Sequence, residues 1–404
     1  MNNNLHDIQH PTANWLVQHD LNRAGGPLLI RQNGNTLLKN FHNRCDDLQD
    51  ELLIPDKVRI FRKAGAAIFS SEGHFPFGAE LSLRQNIRYA ANHARITTDL
   101  RWKKGASLKQ NVAIGSAELP GQWTKVFVVP ADGTTTPAWQ VLTPGTSCRF
   151  NPLPLALVFC NQQDQRLEIS TGDDLWRWQN GLLPQSLHNT ASIELTVQTD
   201  NIRLQRLVTV NSGEAEGFPE ARDYRFTSVL AWSAPALQQN PHPPHEFTTL
   251  VINQKEGLSR KQLLDCGSTP CVSLDFRQIE LPQQAKHSRG QGYCWESKIT
   301  QRCVRRLIRQ LADFSAEGFL LITAGMTPGL CDDPVHCSRK NNTLHWDLTA
   351  ILDLASWMQQ RLGNGWTTTV KQPAPWNELP SLSCLAALNG FRLPNEKIDE
   401  ETDD

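Results

Sequence analysis

From Lys57 to about Gln254 the chain is a succession of short β-type runs punctuated by Gly, Pro, Asn and Asp, a pattern that few folds other than an antiparallel all-β domain accommodate. The runs fall at 58–61, 94–102, 123–129, 138–142, 155–160, 166–170, 192–197, 202–210 and 224–232. Ile193, Leu195 and Val197 alternate strictly, as do Ile202, Leu204, Val208 and Val210, which commits one face of each strand to a core. Arg206 breaks the second series by falling on its apolar face. Either a bulge near Gln205 and Arg206 re-aims the side chain, or its stem packs while its head reaches a polar partner. A single small sandwich does not hold this many strands. The expected fold is therefore mainly β, a large antiparallel two-sheet sandwich over residues 56–255 with a smaller C-terminal helical (α/β) portion.

The flanking regions read differently. Residues 1–55 are polar and irregular, and are expected as a lead-in that wraps the main domain. Residues 256–295 connect to the C-terminal portion, 296–395, where the period becomes helical. Ile299, Cys303, Val304, Leu307, Ile308, Leu311 and Phe314 share one face of a helix over 296–314. Lys298, Arg302, Arg305, Arg306 and Arg309 fall mostly on its remainder, a face that could meet an acidic protein partner. Asp347 is placed to cap a helix over 348–362 that Gly363 closes, and a third helix is expected at 381–389. The acidic stretch 396–404 has the composition of a disordered tail.

Charge and cysteine content exclude some function classes. With Lys+Arg 40 against Asp+Glu 41, the net charge of −1 gives no overall field favouring nucleic acid or an anionic membrane. There is no long uninterrupted apolar window, and Met1 to Asp7 lacks the basic and apolar regions of a secretory signal, so the chain reads as cytoplasmic. Its 10 cysteines are then expected as thiols, with Cys160 and Cys303 as small buried hydrophobes.

The chain has 12 Trp and only 3 Tyr, a bias suited to flat apolar platforms. Its tightest aromatic cluster is Gly172-Asp173-Asp174-Leu175-Trp176-Arg177-Trp178. Trp176 and Trp178 would project to one face as a ring platform, and Asp173 and Asp174 would accept hydrogen bonds from neighbouring sugar hydroxyls. The alternative is that both indoles are core and the aspartates shape a turn. Arg88-Tyr89-Ala90-Ala91-Asn92-His93-Ala94-Arg95-Ile96 resembles the Gly-Arg-Tyr-Ala-Asn-Arg-Ile stretch of galactose mutarotases over under a dozen residues, without the leading glycine and with extra residues before the final Arg-Ile. What that resemblance implies is a β-supersandwich, a fold common in carbohydrate-active proteins. The family's catalytic His and Glu motifs have no counterpart here.

Carbohydrate binding or processing is thus the first functional expectation. Acid/base chemistry on a sugar, as in an epimerase, lyase or hydrolase, needs an acid and a base on opposite sides of the ring. His74 and His93 are the acid candidates, Glu72, Asp173 and Glu220 are candidate bases, and Arg88 would bind a hydroxyl or carboxylate. Such chemistry requires no cofactor. A non-catalytic interaction or assembly protein built on the same sandwich is the alternative. The densest ligand-type cluster is Cys331, His336 and Cys337, then His345, which could supply zinc ligands although the spacing lacks a C-x2-C knuckle.

Overall fold

The computed structural model describes residues 5–9, 15–23, 25–45, 51–63, 66–75, 78–90, 93–102, 109–130, 135–150, 153–171, 190–211, 222–233, 249–251, 271–276, 281, 283–286, 292–314, 320–324, 326–331, 333, 335–336, 345–362, 367–371 and 375–383. The strands β1 (Leu5–Gln9), β2 (Trp15–Asp20), β3 (Leu29–Gln32), β4 (Asn35–Cys45) and β5 (Glu51–Leu52) open a first sheet. A second begins as a meander of β6 (Ile54–Lys63), β7 (Ala66–Phe75), β8 (Gly78–Tyr89) and β9 (His93–Trp102). The chain then alternates between them. β10 (Lys109–Pro120) joins the first sheet, β11 (Trp123–Val129) and β12 (Ala138–Val141) the second, and β13 (Ser147–Phe150) the first. β14 (Ala156–Asn161) and β15 (Arg166–Thr171) join the second, β16 (Thr190–Val197) and β17 (Asn201–Asn211) the first, and β18 (Arg222–Trp232) the second. Among the described residues each sheet has nine strands, and their pairings are antiparallel.

One core fills the space between the sheets. Val17, Ile30, Leu119, Ile193, Leu195, Ile202 and Leu204 come from the first, and Phe69, Leu83, Ile87, Ile96, Phe159, Leu167, Leu230 and Trp232 from the second. Trp15 meets Trp232 across this layer edge-on, at 5.6 Å between ring centroids. The segment expected as a lead-in supplies β1 to β5, and its Val17, Ile30, Leu37 and Leu38 are fully buried. The polar outward residues of these strands hide their alternation in the sequence.

The Arg206 conflict is resolved on the neighbouring strand. The β10–β17 register shifts between Ala113 and Ala117, where Gly115 adopts φ +72°, a conformation costly for a residue with a side chain. The extra space admits the Arg206 guanidinium, which donates to Ser228 Oγ at 3.4 Å on the opposite sheet. Gly115 N–H donates to Asn43 Oδ1 at 2.9 Å, which satisfies the bulge.

The C-terminal unit packs on the outer face of the second sheet. It contains β19 (Thr249–Val251), β20 (Cys271–Asp275), α1 (Lys298–Phe314), β21 (Leu320–Ala324), β22 (Leu330–Cys331), β23 (His345–Trp346), α2 (Leu348–Leu362), β24 (Thr367–Lys371) and α3 (Pro380–Ser383). β19, β20, β21 and β24 form a parallel sheet, so the region expected as a connector contributes a strand of its own. Phe127, Val129, Val158, Val229 and Ala231 of the sandwich share a second core with Trp295, Ile308, Trp346, Ile351 and Leu354. This explains β14, whose six residues are all buried, since it has a core on each face.

The helices match their apolar periodicity. α1 lacks only the first two residues of the expected span, and α2 runs over the span read from the sequence. The Asp347 carboxylate, just before α2, accepts the N–H groups of Trp295 and Gly329, each at 2.7 Å, and so ties two loops to the helix start. The third helix is described only over Pro380–Ser383. No helix among the described residues is long and apolar enough to cross a membrane.

Candidate functional site

The outer face of the second sheet has two halves. The C-terminal unit covers β11, β14, β15 and β18, while β6, β7 and β8 present an open polar surface. That surface begins at the sheet edge, where β6 carries Pro55, a residue tolerated on an edge strand because its missing N–H costs no ladder bond. Next to it the β6–β7 register shifts between Pro55 and Lys57, leaving Asp56 as the extra residue. The bulge aims the Asp56 carboxylate at His74 Nδ1, at 2.8 Å.

Glu72 lies two residues before His74 and therefore on the same face of β7. It pairs with Arg84 of β8 through Nε, at 3.3 Å. The side chains of His74, Asp56, Arg84 and Glu72 are 39%, 53%, 38% and 47% exposed, so all four groups are held by partners yet reach solvent. Ser70 Oγ donates to Asn86 Oδ1 at 2.8 Å farther along the face, and Arg59 lies over the Phe61 ring at 5.3 Å. Arg88 is exposed on the same side, roughly four residues from Arg84, about 13 Å along the strand.

The structure thus brings together His74 and Glu72 of the expected acid/base set, with Arg88 on the same face. Asp56 and Arg84 were missed. Their signals were Pro55-Asp56 at the start of a strand and an arginine on the polar alternation of β8.

His93 is elsewhere. His74 is in register with Ser82, whereas the His93 carbonyl accepts the Ala90 N–H, so the two histidines are separated by roughly eight residues along β8, about 26 Å. They cannot act on one sugar ring. His93 is buried near the C-terminal unit, beside an ion pair between Arg95 and Asp353 of α2. Burial first, then the charges of Arg95 and Arg88, lower its pKa to about 4, against a partial rise from Asp353. It is neutral at pH 7.

Asp173, Asp174, Trp176, Trp178, Glu220 and Cys337 lie outside the described residues. Among the described tryptophans, Trp15, Trp123, Trp232, Trp295 and Trp346 are buried, which assigns them to packing. Two of the four arginines expected to face a partner are engaged within the chain. Arg305 and Arg309 sit over the Trp357 ring of α2 at 5.4 and 5.8 Å, leaving Arg302 and Arg306 exposed.

Among the described residues, Cys331 and His336 of the expected Cys/His set come together and are joined by Cys294, distant in sequence. The donor atoms of all three lie within 4.8 Å of one another, and all three residues are buried. His336 Nδ1 is 3.2 Å from Cys331 Sγ, and His336 Nε2 meets the Gln284 carbonyl. Burial pulls the His336 imidazole down, but contacts with Cys331 and Gln284 and the charge of Asp333 turn the net direction upward. The Cys294 thiol is pushed far up, by its hydrogen bond with Cys331 and then by burial. His345 pairs with Cys331 across β22 and β23, and its side chain lies outside the described residues.

No family model matches the chain, and no curated protein matches it. Similar solved structures include galactose mutarotase-like proteins. One is a putative aldose 1-epimerase from Escherichia coli K12, at 9% identity and TM-score 0.34, covering 57% of this chain and 99% of that one. A galactose mutarotase related enzyme from Lactobacillus acidophilus is at 6% identity and TM-score 0.33, covering 57% and 98%. A GH36 α-galactosidase from Geobacillus stearothermophilus, in complex with stachyose, is at 8% identity and TM-score 0.37, covering 95% and 74%. Likeness at this level concerns architecture and carries no information about chemistry.

Proposed function

We propose that this protein recognises a carbohydrate on the open half of its second sheet, over β6, β7 and β8. The observation that carries the reading is the side-by-side placement of Asp56–His74 and Glu72–Arg84 on one exposed, strand-borne surface. Carboxylates accept hydrogen bonds from vicinal sugar hydroxyls, while guanidinium and imidazole N–H groups donate to them. Holding these groups on paired strands, each already oriented by a partner, lowers the ordering cost of binding. An isolated surface ion pair is worth little to stability, so two adjacent pairs contribute more as a recognition surface than as a brace.

If sugar chemistry accompanies recognition, His74 is the acid candidate, since a carboxylate fixes its ring, and Glu72, two residues along the same face, is the base candidate for a ring standing edge-on between them. Trp176 and Trp178, with Asp173 and Asp174, are proposed as a second binding wall. The test is a panel of monosaccharides and glycans against wild type, Glu72→Ala/Arg84→Ala, and Trp176→Ala/Trp178→Ala. Wild type is expected to bind at least one member, and the Glu72/Arg84 double variant to bind it tenfold or more weakly with its unfolding transition unchanged. No binding by wild type, or equal binding by that variant, overturns the reading.

A further inference from the structure

We propose that Cys294, Cys331 and His336 form a binding site for a thiophilic divalent cation, with Zn2+ the ion that their chemistry suits. This site is independent of the sugar-binding surface. Two sulfurs and one imidazole nitrogen are a borderline-soft donor set that selects zinc over magnesium or calcium, which take oxygen ligands. A tetrahedral ion with Zn–S of about 2.3 Å and Zn–N of about 2.0 Å separates its donors by roughly 3.5 to 3.8 Å. The three donor atoms already lie within 4.8 Å of one another, and the Cys331 Sγ to His336 Nδ1 separation is 3.2 Å. Small side-chain adjustments therefore suffice to admit the ion.

The surroundings add a second argument. A metal-ligating histidine normally donates its other ring N–H to a carbonyl or carboxylate, which fixes the tautomer. His336 meets this condition, because Nε2–H donates to the Gln284 carbonyl and leaves the Nδ1 lone pair directed at the thiols. Asp347 supports the site from outside, since its carboxylate holds the N–H of Trp295, next to Cys294, and that of Gly329, two residues before Cys331. All three donor residues are at most 2% exposed. Cys294 follows the Lys286–Tyr293 bridge, Cys331 ends β22, and His336 sits in a turn. An ion here would cross-link the segment after the Lys286–Tyr293 bridge, the end of β22 and the turn at 335–336. The thiols would bind as thiolates, releasing two protons when they do so.

The experiment uses full-length protein purified without chelator or metal-affinity resin. Elemental analysis is expected to give about one zinc per chain, either as isolated or after incubation with Zn2+ and removal of excess. With Co2+ as the probe, thiolate-to-cobalt charge transfer and the visible bands of a tetrahedral site are expected. Cys294→Ser and Cys331→Ser should each lower bound metal more than tenfold, while Cys160→Ser, at a buried thiol elsewhere, should leave it unchanged. The wild-type measurements do not depend on whether the variants fold. No stoichiometric zinc after reconstitution, no thiolate band with Co2+, or a Cys294–Cys331 disulfide in protein kept under reductant would each overturn the proposal.

Discussion

At the scale of single residues, the sandwich holds a histidine where an apolar side chain would serve packing as well. His19 is buried between the sheets, stacked on Phe69 at 4.0 Å between centroids, with Nε2 2.8 Å from the Tyr89 hydroxyl. Burial lowers its pKa to about 3, opposed by a backbone contact at Gly26 and assisted by the charge of His6. His93, lowered to about 4, behaves in the same way. A folded-state pKa below the unfolded value of about 6.5 means that the unfolded chain binds protons first as pH falls. The stability contribution is therefore complete above pH 6.5 and is lost toward the folded-state values, by about 1.4 kcal/mol per pH unit for each histidine.

Glu168 has the opposite sign. Burial raises its pKa despite hydrogen bonds from Ser170 and Ser381, so its contribution falls as pH rises above its unfolded value. It offsets part of the histidine slope near that value. Urea unfolding between pH 6.5 and 4.5 should show stability falling with acid, and His93→Gln should roughly halve the slope. A flat profile would contradict this assignment.

Gly115 gives a second residue-level prediction. A Cβ there would lie 2.8 Å from the Phe41 ring and 3.0 Å from the Arg206 guanidinium, at a φ that side chains avoid. Gly115→Ala is expected to cost about 2 kcal/mol or more in chemical denaturation. Arg206 was visible in the sequence as a misfit, and of its two expected resolutions the packed stem with its head on a polar partner is the observed one. The bulge on β10 that makes room for it was not legible, because strand pairing is a property of the fold.

At the scale of elements, the strands legible from Lys57 onward were mostly those with a core on one or both faces, although the exposed β12 was also read and β2 to β4 were missed despite their buried Val17, Ile30, Leu37 and Leu38. β11, β14, β16, β17 and β18 stood out because one or both of their faces meet a core, which demands apolar alternation or a continuous apolar run. β7 and β8 did not, because one face of each is open and polar, as in Ser70, Glu72 and His74 or Ser82, Arg84 and Asn86. The same composition that hid these strands marks the proposed binding surface. The α1 and α2 helices were legible from their periodicity, whereas the engagement of Arg305 and Arg309 with Trp357 required the packing of one helix on the other.

Docking of α3 was also beyond sequence reading. The buried Glu168 carboxylate of β15 accepts from Ser381 N–H and Oγ, at 2.7 and 2.8 Å, and Arg166 pairs with Glu378 at 2.7 Å. Glu168→Ala leaves the buried Ser381 N–H without this acceptor, at a cost of about 1 to 3 kcal/mol. Limited proteolysis should then cut near 376–383 faster than in wild type. Equal rates would show that α3 is held by its apolar contacts alone.

At the scale of the whole molecule, two cores share one sheet. The sandwich core fills the inner face of the second sheet, and the C-terminal core uses part of its outer face as a floor. A chain ending after Trp232 would expose Phe127, Val129, Val158, Val229 and Ala231 together. It should bind a hydrophobic dye and self-associate, which light scattering would detect. A monomeric truncation with native-like melting would show that the sandwich is self-sufficient.

Among the described residues the same division leaves the outer face of β6 to β8 uncovered, and carbohydrate recognition is proposed there. The most direct test is carbodiimide labelling of exposed carboxylates, quantified by mass spectrometry, with and without saturating glycans from the panel. Asp56 and Glu72 are exposed enough to label in the free protein. A bound sugar is predicted to protect both at least severalfold while leaving Asp353, on the C-terminal unit, unchanged. Unaltered labelling of Asp56 and Glu72 at every glycan tested would contradict carbohydrate recognition on this face.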